Sequence, residues 1–279
     1  MEDRHIYDIA FGIKCLLQAQ VSINDITVLI DNFSPIKVQT VFSVMKVDSL
    51  NEIYPIKKLD CLLENNSYQN AVVFITGHGS PDGLDSESPI KPYGLYKLFQ
   101  TTLNLKRVVM YFGQCYAGIF NQMPLSTHLG LSENRKCSIV ATGGTGLFPS
   151  LSSTLSVNTN AEKITWSANI FLAYVFDWIV NPRDIDGDGK FSVMDSFKYA
   201  AIKTNIALAR IKKDNNIQTI MEQSLLYKCV EKLKSGQISD DDKNNLLLEQ
   251  QALEKMLEIR YIVQEPWILN AQIAMNTEF

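Results

Sequence analysis

The amino-acid sequence predicts an α/β fold, a doubly wound and mainly parallel sheet flanked by helices, with a helical C-terminal extension. Three observations carry that expectation. The runs AVVFITGHG (71–79), RVVMYFGQC (107–115) and CSIVATGG (137–144) are short and apolar and stop at glycine-containing turns, as buried strands do. Helical patterns alternate with such runs, which is how a parallel sheet with crossover helices is built. Beyond residue 164 the pattern becomes helical.

Taken in order, Ile6, Ile9, Ala10, Ile13, Leu16 and Leu17 share one face of an opening helix over 4–20. ITVLID (26–31) reads as the first strand, VQTVFSVMKV (38–47) as the second, LDCLLENN (59–66) as a short helix and AVVFITGHG as the third strand. PYGLYKLFQTTL (92–103) is the next helix, and RVVMYFGQC and CSIVATGG are the fourth and fifth strands. ITWSANIFLAYVFDWIV (164–180) is apolar nearly all round, as expected of a buried helix, and 193–211 is amphipathic. Two more amphipathic stretches, 217–234 and 241–263, lie either side of the turn-like SGQISDDDK. The chain thus divides into a sheet domain over 1–215 and a helical extension over 216–279. That extension is a candidate to cover a cleft or to receive a regulatory protein.

Composition narrows the function classes. A chain of 279 residues, 46% hydrophobic and 20% charged, supports one large core with an appendage. A formal charge of −4 gives no global basic field, so nucleic acid is not the expected partner. Five scattered cysteines without a CxxC pair fit a reducing compartment. The N-terminus lacks a secretory pattern and no apolar run approaches ~20 residues, so a cytoplasmic protein without a membrane span is expected. Cys15, Cys61, Cys137 and Cys229 read as core, His5 and His128 as surface histidines, and Trp178 and Trp267 as packing residues.

His78 and Cys115 carry the chemistry. Each ends a predicted strand, so both side chains are expected at one edge of the sheet. A nucleophilic cysteine needs a neighbouring imidazole to favour thiolate, and the same imidazole then protonates the leaving amine. Glycine at 79 and 118 lets the backbone approach a substrate carbonyl, and the N–H groups of Gly79 and Cys115 are candidate oxyanion donors. TGHGS and ATGGTG admit a rival reading as phosphate-cradling loops, although neither has the GxGxxG or GxxxxGK[ST] spacing. The alternative function is therefore a nucleotide-binding α/β regulator, or a catalytically silent scaffold that acts through partner binding.

Strand-His-Gly, the hairpin-like SPDGL, a helix and strand-Gln-Cys-x-x-Gly together resemble the caspase and legumain clan of cysteine peptidases, over roughly 26–200. The similarity is greatest to bacterial legumain-like and caspase-like members. The resemblance implies a caspase-like sheet and hydrolysis of a protein or peptide substrate, with His78 as general base and acid, Cys115 as nucleophile and Gly79 as oxyanion donor. It also implies a regulated intracellular role of the bacterial defence or cell-death type, controlled by autoprocessing or a covering segment, with 121–136 the most cleavable-looking loop after the nucleophile. Caspases read Q-A-C-[RQG]-G, whereas here Gln114 is adjacent to the cysteine and Gly113 takes the earlier place, which carries a specificity group in several members. Asp31, Gln114 and the segment holding Trp166 and Ser167 are the remaining candidates to contact substrate. Asp31 would favour a basic P1 residue, and its alternative is a turn or cap role.

DIDGDGKFSVMD places Asp184, Asp186, Asp188, Ser192 and Asp195 at positions 1, 3, 5, 9 and 12 of an EF-hand-type loop, with Gly189 at the sharp turn and the Lys190 carbonyl at position 7. A structural Ca2+ is the expected ligand, and Asp195 in place of the usual glutamate also admits Mg2+. The alternative is a metal-free turn capping the following helix. A DxDGDG loop after Trp-Ser also resembles the bacterial legumain-like relatives. Catalysis by a Cys–His pair requires no cofactor.

Overall fold

The structure, a computed structural model, describes residues 2–31, 33–47, 52–123, 137–146, 150, 152–159, 163–235, 239–260 and 266–279. The chain divides into two units, 1–204 with 264–279, and 205–263. In the first unit, α1 (Asp3–Gln18) forms on the predicted apolar stripe and buries Ile6, Ala10 and Ile13. β1 (Val28–Leu29) follows. VQTVFSVMKV, expected as a strand, is instead helix α2 (Pro35–Met45). Pro35 suits the first helical turn because no donor is needed there, and Lys46 ends the helix in the left-handed region at φ 60°. Val38, Val41, Phe42 and Met45 then fall on one face and bury with Ile6, Ala10 and Ile13 of α1. Packing of that face outweighs the β-preference of its valines.

β2 (Ile53–Tyr54) pairs in parallel with β1. α3 (Leu59–Glu64) leads into β3 (Asn70–Ile75), the tight hairpin β4 (Gly79–Ser80) and β5 (Gly83–Leu84), and α4 (Pro92–Thr101). β6 (Arg107–Phe112), a 3-10 turn at Ala117–Gln122 and β7 (Ser138–Gly143) come next. β8 (Ser152–Asn158) and β9 (Lys163–Asn169) form an antiparallel hairpin before α5 (Ile170–Val180). The expected helix over 164–180 therefore begins only at Ile170. In β9, Ile164, Trp166 and Ala168 are buried and alternate with exposed Lys163, Thr165 and Ser167, a two-residue period that only a strand can satisfy. Asn169 caps α5 by accepting the Leu172 N–H at 2.9 Å.

α6 (Val193–Ser235) runs without interruption where two separate stretches were expected, and α7 (Asp240–Arg260) follows. In the second unit the buried Cys229 thiol donates to the Leu246 carbonyl at 3.2 Å, joining the two helices. The extension over 216–279 is not wholly helical. β10 (Trp267–Leu269) returns to the sheet unit antiparallel to β7, and α8 (Ala271–Met275) follows it. Trp267 Nε1 donates to the Thr145 carbonyl and Asn270 to the Ile139 carbonyl.

The central sheet has the order β10-β7-β6-β3, with β3, β6 and β7 parallel. Along β6, Val109 and Tyr111 bury against Phe171, Val175 and Trp178 of α5 and Val193 of α6. Val108, Met110 and Phe112 bury on the opposite face with Leu95 and Phe99 of α4, Phe120 and Trp267. Helices cover both faces of a mixed α/β sheet. All five cysteines are free, and Cys61, expected in the core, is exposed. Among the described residues no helix is long and apolar enough to cross a membrane.

Candidate active site

β3 and β6 are in register up to Ile75 and Phe112. His78 and Cys115 each stand three residues beyond that last pair, so the parallel register brings both to the same edge of the sheet. Gly79 then closes the gap. A Cβ at this position would lie 2.3 Å from the Cys115 carbonyl oxygen and 2.8 Å from Gln114 Cγ, so only glycine allows the turn after His78 to rest on the Cys115 backbone. Gly118 performs the same task on the other side. Its Cβ would meet the Gly146 carbonyl carbon at 2.6 Å, and its N–H donates to the Gly146 carbonyl at 2.9 Å.

Cys115 is half-buried, and its sulfur accepts the Ser150 N–H at 3.3 Å with the Ser150 hydroxyl at 3.7 Å. His78 is more exposed, and its Nε2 lies 3.2 Å from Glu2 Oε1. The ring of His5 meets that of His78 edge to face, with centroids 5.1 Å apart. His5 is thus not a surface residue. It is only 4% exposed, and burial, with Arg4 and His78 nearby, pushes its pKa down to about 4.

Behind these side chains lies Asp8, a buried carboxylate of α1. It accepts from Thr76 Oγ1 (3.1 Å), Trp166 Nε1 (2.9 Å) and the Asn169 N–H (3.3 Å). Asn169 in turn donates through Nδ2 to the Gly113 carbonyl. Thr76 lies two residues before His78 and Gly113 two residues before Cys115, so one carboxylate anchors both strand exits. Burial raises the Asp8 pKa to about 6, against the lowering effect of its hydrogen bonds to Trp166, Asn169 and Thr76.

The candidate substrate contacts fare differently. Trp166, expected to touch substrate, is a core residue, buried to 6% exposure, stacked on Tyr7 and bonded to Asp8. Ser167, beside it, is on the exposed face of β9. Gln114 is buried to 1% exposure, and neither its Oε1 nor its Nε2 has a partner among the described residues. Asp31 accepts the Ile56 N–H at 2.9 Å through Oδ1, a turn-capping role, while its buried Oδ2 has no partner among the described residues. His128 and most of the 121–136 loop lie outside the described residues. Glu2, His5, Asp8, Asn169 and Ser150 were not candidates from sequence. Only the fold brings them beside the two strand exits.

The acidic loop is formed, with Gly187 and Gly189 at φ 80° and 84°. Carboxylate oxygens of Asp184, Asp186 and Asp188 lie within 4.8 Å of one another. Asp184 also accepts the N–H groups of Gly187 and Gly189 at 2.6 and 2.8 Å, and Asp186 pairs with Lys198 at 2.9 Å. Ser192 and Asp195 stand apart in a reciprocal cap of α6. Asp195 Oδ2 accepts the Ser192 N–H at 3.0 Å, and the Asp195 N–H donates to Ser192 Oγ at 3.2 Å. Burial opposes ionisation of Asp195, but hydrogen bonds from Ser192, Ile185 and Asp186 outweigh it and hold its carboxyl below the usual range. Three clustered hard oxygen donors fit Ca2+ or Mg2+, and the helix cap beside them is tied to the same loop by Asp195 Oδ1, which accepts the Ile185 N–H at 2.8 Å.

No protein-family profile matches this chain, and no curated protein shows significant similarity to it.

Proposed function

We propose that the chain is a cysteine endopeptidase of the caspase and legumain type, with Cys115 as nucleophile and His78 as general base and acid. The observation that carries this reading is the equal offset of the two residues beyond paired parallel strands, with Gly79 seated on the Cys115 backbone. The Cys115 thiolate would attack the scissile carbonyl carbon and form the acyl-enzyme, with N–H groups of Gly79 and Cys115 as oxyanion donors. With Nε2 turned to Glu2 Oε1 at 3.2 Å, His78 has Nδ1 left for proton exchange. It would take up the thiol proton there, deliver it to the leaving amine, and then activate the water that hydrolyses the thioester. Labelling with a peptidyl electrophile, with Cys115→Ala as control, tests the reading. A regulated intracellular role, with the helical second unit as receiver of a regulatory protein, accompanies it.

Specificity is proposed to rest on Asp31. Gly113 offers no side chain before the nucleophile, whereas Asp31 has a buried oxygen without a donor among the described residues, which an arginine or lysine P1 side chain would supply. A charge-assisted contact of about 1.5–3 kcal/mol corresponds to roughly a ten- to hundredfold preference for basic P1 residues. Asp31→Asn is expected to reduce cleavage after basic residues selectively. Equal turnover of basic and neutral peptides by the unaltered protein excludes this pocket.

The acidic loop is proposed to hold a structural Ca2+, or Mg2+, through Asp184, Asp186, Asp188 and the Lys190 carbonyl. The ion would stabilise the turn leading into α6, and no step of the peptidase chemistry passes through it. Calcium at 100 times its dissociation constant is expected to add about 2.7 kcal/mol of stability, read as a rise in Tm that chelator reverses. The double substitution Asp186→Ala with Asp188→Ala should remove that rise. A Tm indifferent to calcium would leave only the metal-free turn.

A further inference from the structure

The residues around His78 form a second constellation, of which the peptidase reading uses His78 and its Glu2 contact but not His5. Glu2, His5 and His78 each offer a ligand atom, and these atoms lie within 4.8 Å of one another. One edge of the triangle, His78 Nε2 to Glu2 Oε1, is 3.2 Å. Donors around a tetrahedral zinc ion, with bonds of about 2.0–2.1 Å, lie about 3.3–3.4 Å apart. The first edge is therefore at coordination distance already, and the others need to close by at most about 1.5 Å. The Glu2 side chain is half-exposed and can supply that movement by a change of rotamer that gives up its ion pair with Arg4.

A separate observation points to a ligand. His5 is 4% exposed, yet its Nε2 has no hydrogen-bond partner among the described residues. The other nitrogen explains which atom is left open. His5 Nδ1 is 3.3 Å from Thr76 Oγ1, whose own proton is given to Asp8 Oδ2 at 3.1 Å. Thr76 therefore accepts from His5, the proton sits on Nδ1, and the lone pair resides on Nε2. A histidine whose far N–H is held by a hydroxyl and a carboxylate behind it has the support that metal-ligating imidazoles receive.

We infer that Glu2, His5 and His78 form a zinc site of the two-histidine, one-carboxylate type, whose occupancy withdraws His78 from Cys115. Imidazole nitrogens select zinc and its transition-metal neighbours over calcium and magnesium, so this site and the acidic loop would take different ions. Three protein ligands leave a fourth position for water. Whichever nitrogen of His78 binds the metal, the other carries the proton, and the ring has no lone pair left for the thiol proton. The binding site stands independently of the peptidase reading. Only the inhibitory consequence rests on it.

The test is a zinc titration of the full chain in competition with a chromogenic chelator, with excess calcium present to satisfy the acidic loop. It is made on Cys115→Ala, so that neither turnover nor the nucleophilic thiol enters the readout. One equivalent of zinc is expected, with a rise in Tm. Thr76→Val should weaken binding about ten- to hundredfold, the usual effect of losing an outer partner, and His5→Gln by at least as much. Where His5→Gln lowers the Tm without metal, Glu2→Ala, at the half-exposed corner, serves in its place. In the chain that retains Cys115, zinc should inhibit peptide hydrolysis and His5→Gln should relieve the inhibition. Absence of a stoichiometric site in Cys115→Ala, or undiminished affinity in His5→Gln, overturns the inference. Stoichiometric binding without detectable hydrolysis supports the site and counts against the peptidase reading alone.

Discussion

Replacing Cys115 with alanine is expected to reduce peptide hydrolysis to background while leaving the protein folded. The sulfur is half-buried and its contact with the Ser150 N–H is a weak one, so its removal has little effect on stability. Removing His78 is expected to lower turnover by about 10²–10⁴, the range that general acid–base catalysis contributes. Its ring is 45% exposed and supports no core cluster. Gly79→Ala should be as damaging as either, because the new methyl would fall 2.3 Å from the Cys115 carbonyl oxygen and push the two strand exits apart. Mass spectrometry after reaction with a peptidyl electrophile distinguishes the outcomes. A label on Cys115 that His78→Ala slows fits the peptidase. A label confined to exposed Cys61, with full activity in Cys115→Ala, excludes Cys115 as the nucleophile, and absence of hydrolysis by the unaltered protein returns the chain to the silent-scaffold alternative.

The second large effect is expected at Asp8. Asp8→Ala would leave the Trp166 Nε1–H, the Asn169 N–H and the Thr76 hydroxyl without an acceptor. At about 1–3 kcal/mol for each orphaned buried donor, partly relieved by relaxation, the loss is expected to reach about 3–5 kcal/mol. Activity should fall with it, because both Thr76 and the Asn169–Gly113 bond position the candidate pair.

Asp8→Asn offers a sharper test through pH. The Asp8 pKa is raised from 3.8 to about 6 in the folded state, so its stabilising contribution is full below 3.8 and is lost as pH rises through 6. The His5 pKa is lowered from 6.5 to about 4, so its contribution is full above 6.5 and is lost as pH falls through 4. Each shift is worth about 3 kcal/mol with opposite sign, and in the unaltered protein the two nearly cancel between pH 4 and 6.5. Asp8→Asn should unmask His5, giving stability that rises with pH across that window. His5→Gln should unmask Asp8, giving stability that falls. Denaturant melts at closely spaced pH values would show it, and parallel profiles for the unaltered protein and both variants would exclude these assignments.

The two glycine-bounded strands and the residues at their ends were legible from sequence because they depend on local pattern. Buried parallel strands are continuous apolar runs, and the glycines after them mark close backbone approach. The aspartate spacing of the 184–195 loop was legible for the same reason, being a property of one short segment. What sequence misread was decided by packing. Residues 38–47 have strand-like composition, but Val38, Val41, Phe42 and Met45 also fit one helical face, and burial against α1 selects the helix. Trp166 looked available to substrate until β9 turned it onto Tyr7 and Asp8. β10 is only three residues long and gains its identity from pairing with β7, more than a hundred residues earlier in the chain.

The surroundings of the candidate site belong wholly to the tertiary structure. Glu2, His5 and Asp8 lie in the first residues of the chain, more than sixty positions before His78, and no local rule relates them. Sequence by itself determined which residues can carry thiol and imidazole chemistry, because that depends on side-chain type and on where a strand ends. The tertiary structure alone decided what those residues face. Desolvation, hydrogen-bond partners and tautomers arise only when α1 packs on α5 and β9, sets Asp8 and His5 on Thr76, and brings the His5 ring beside His78.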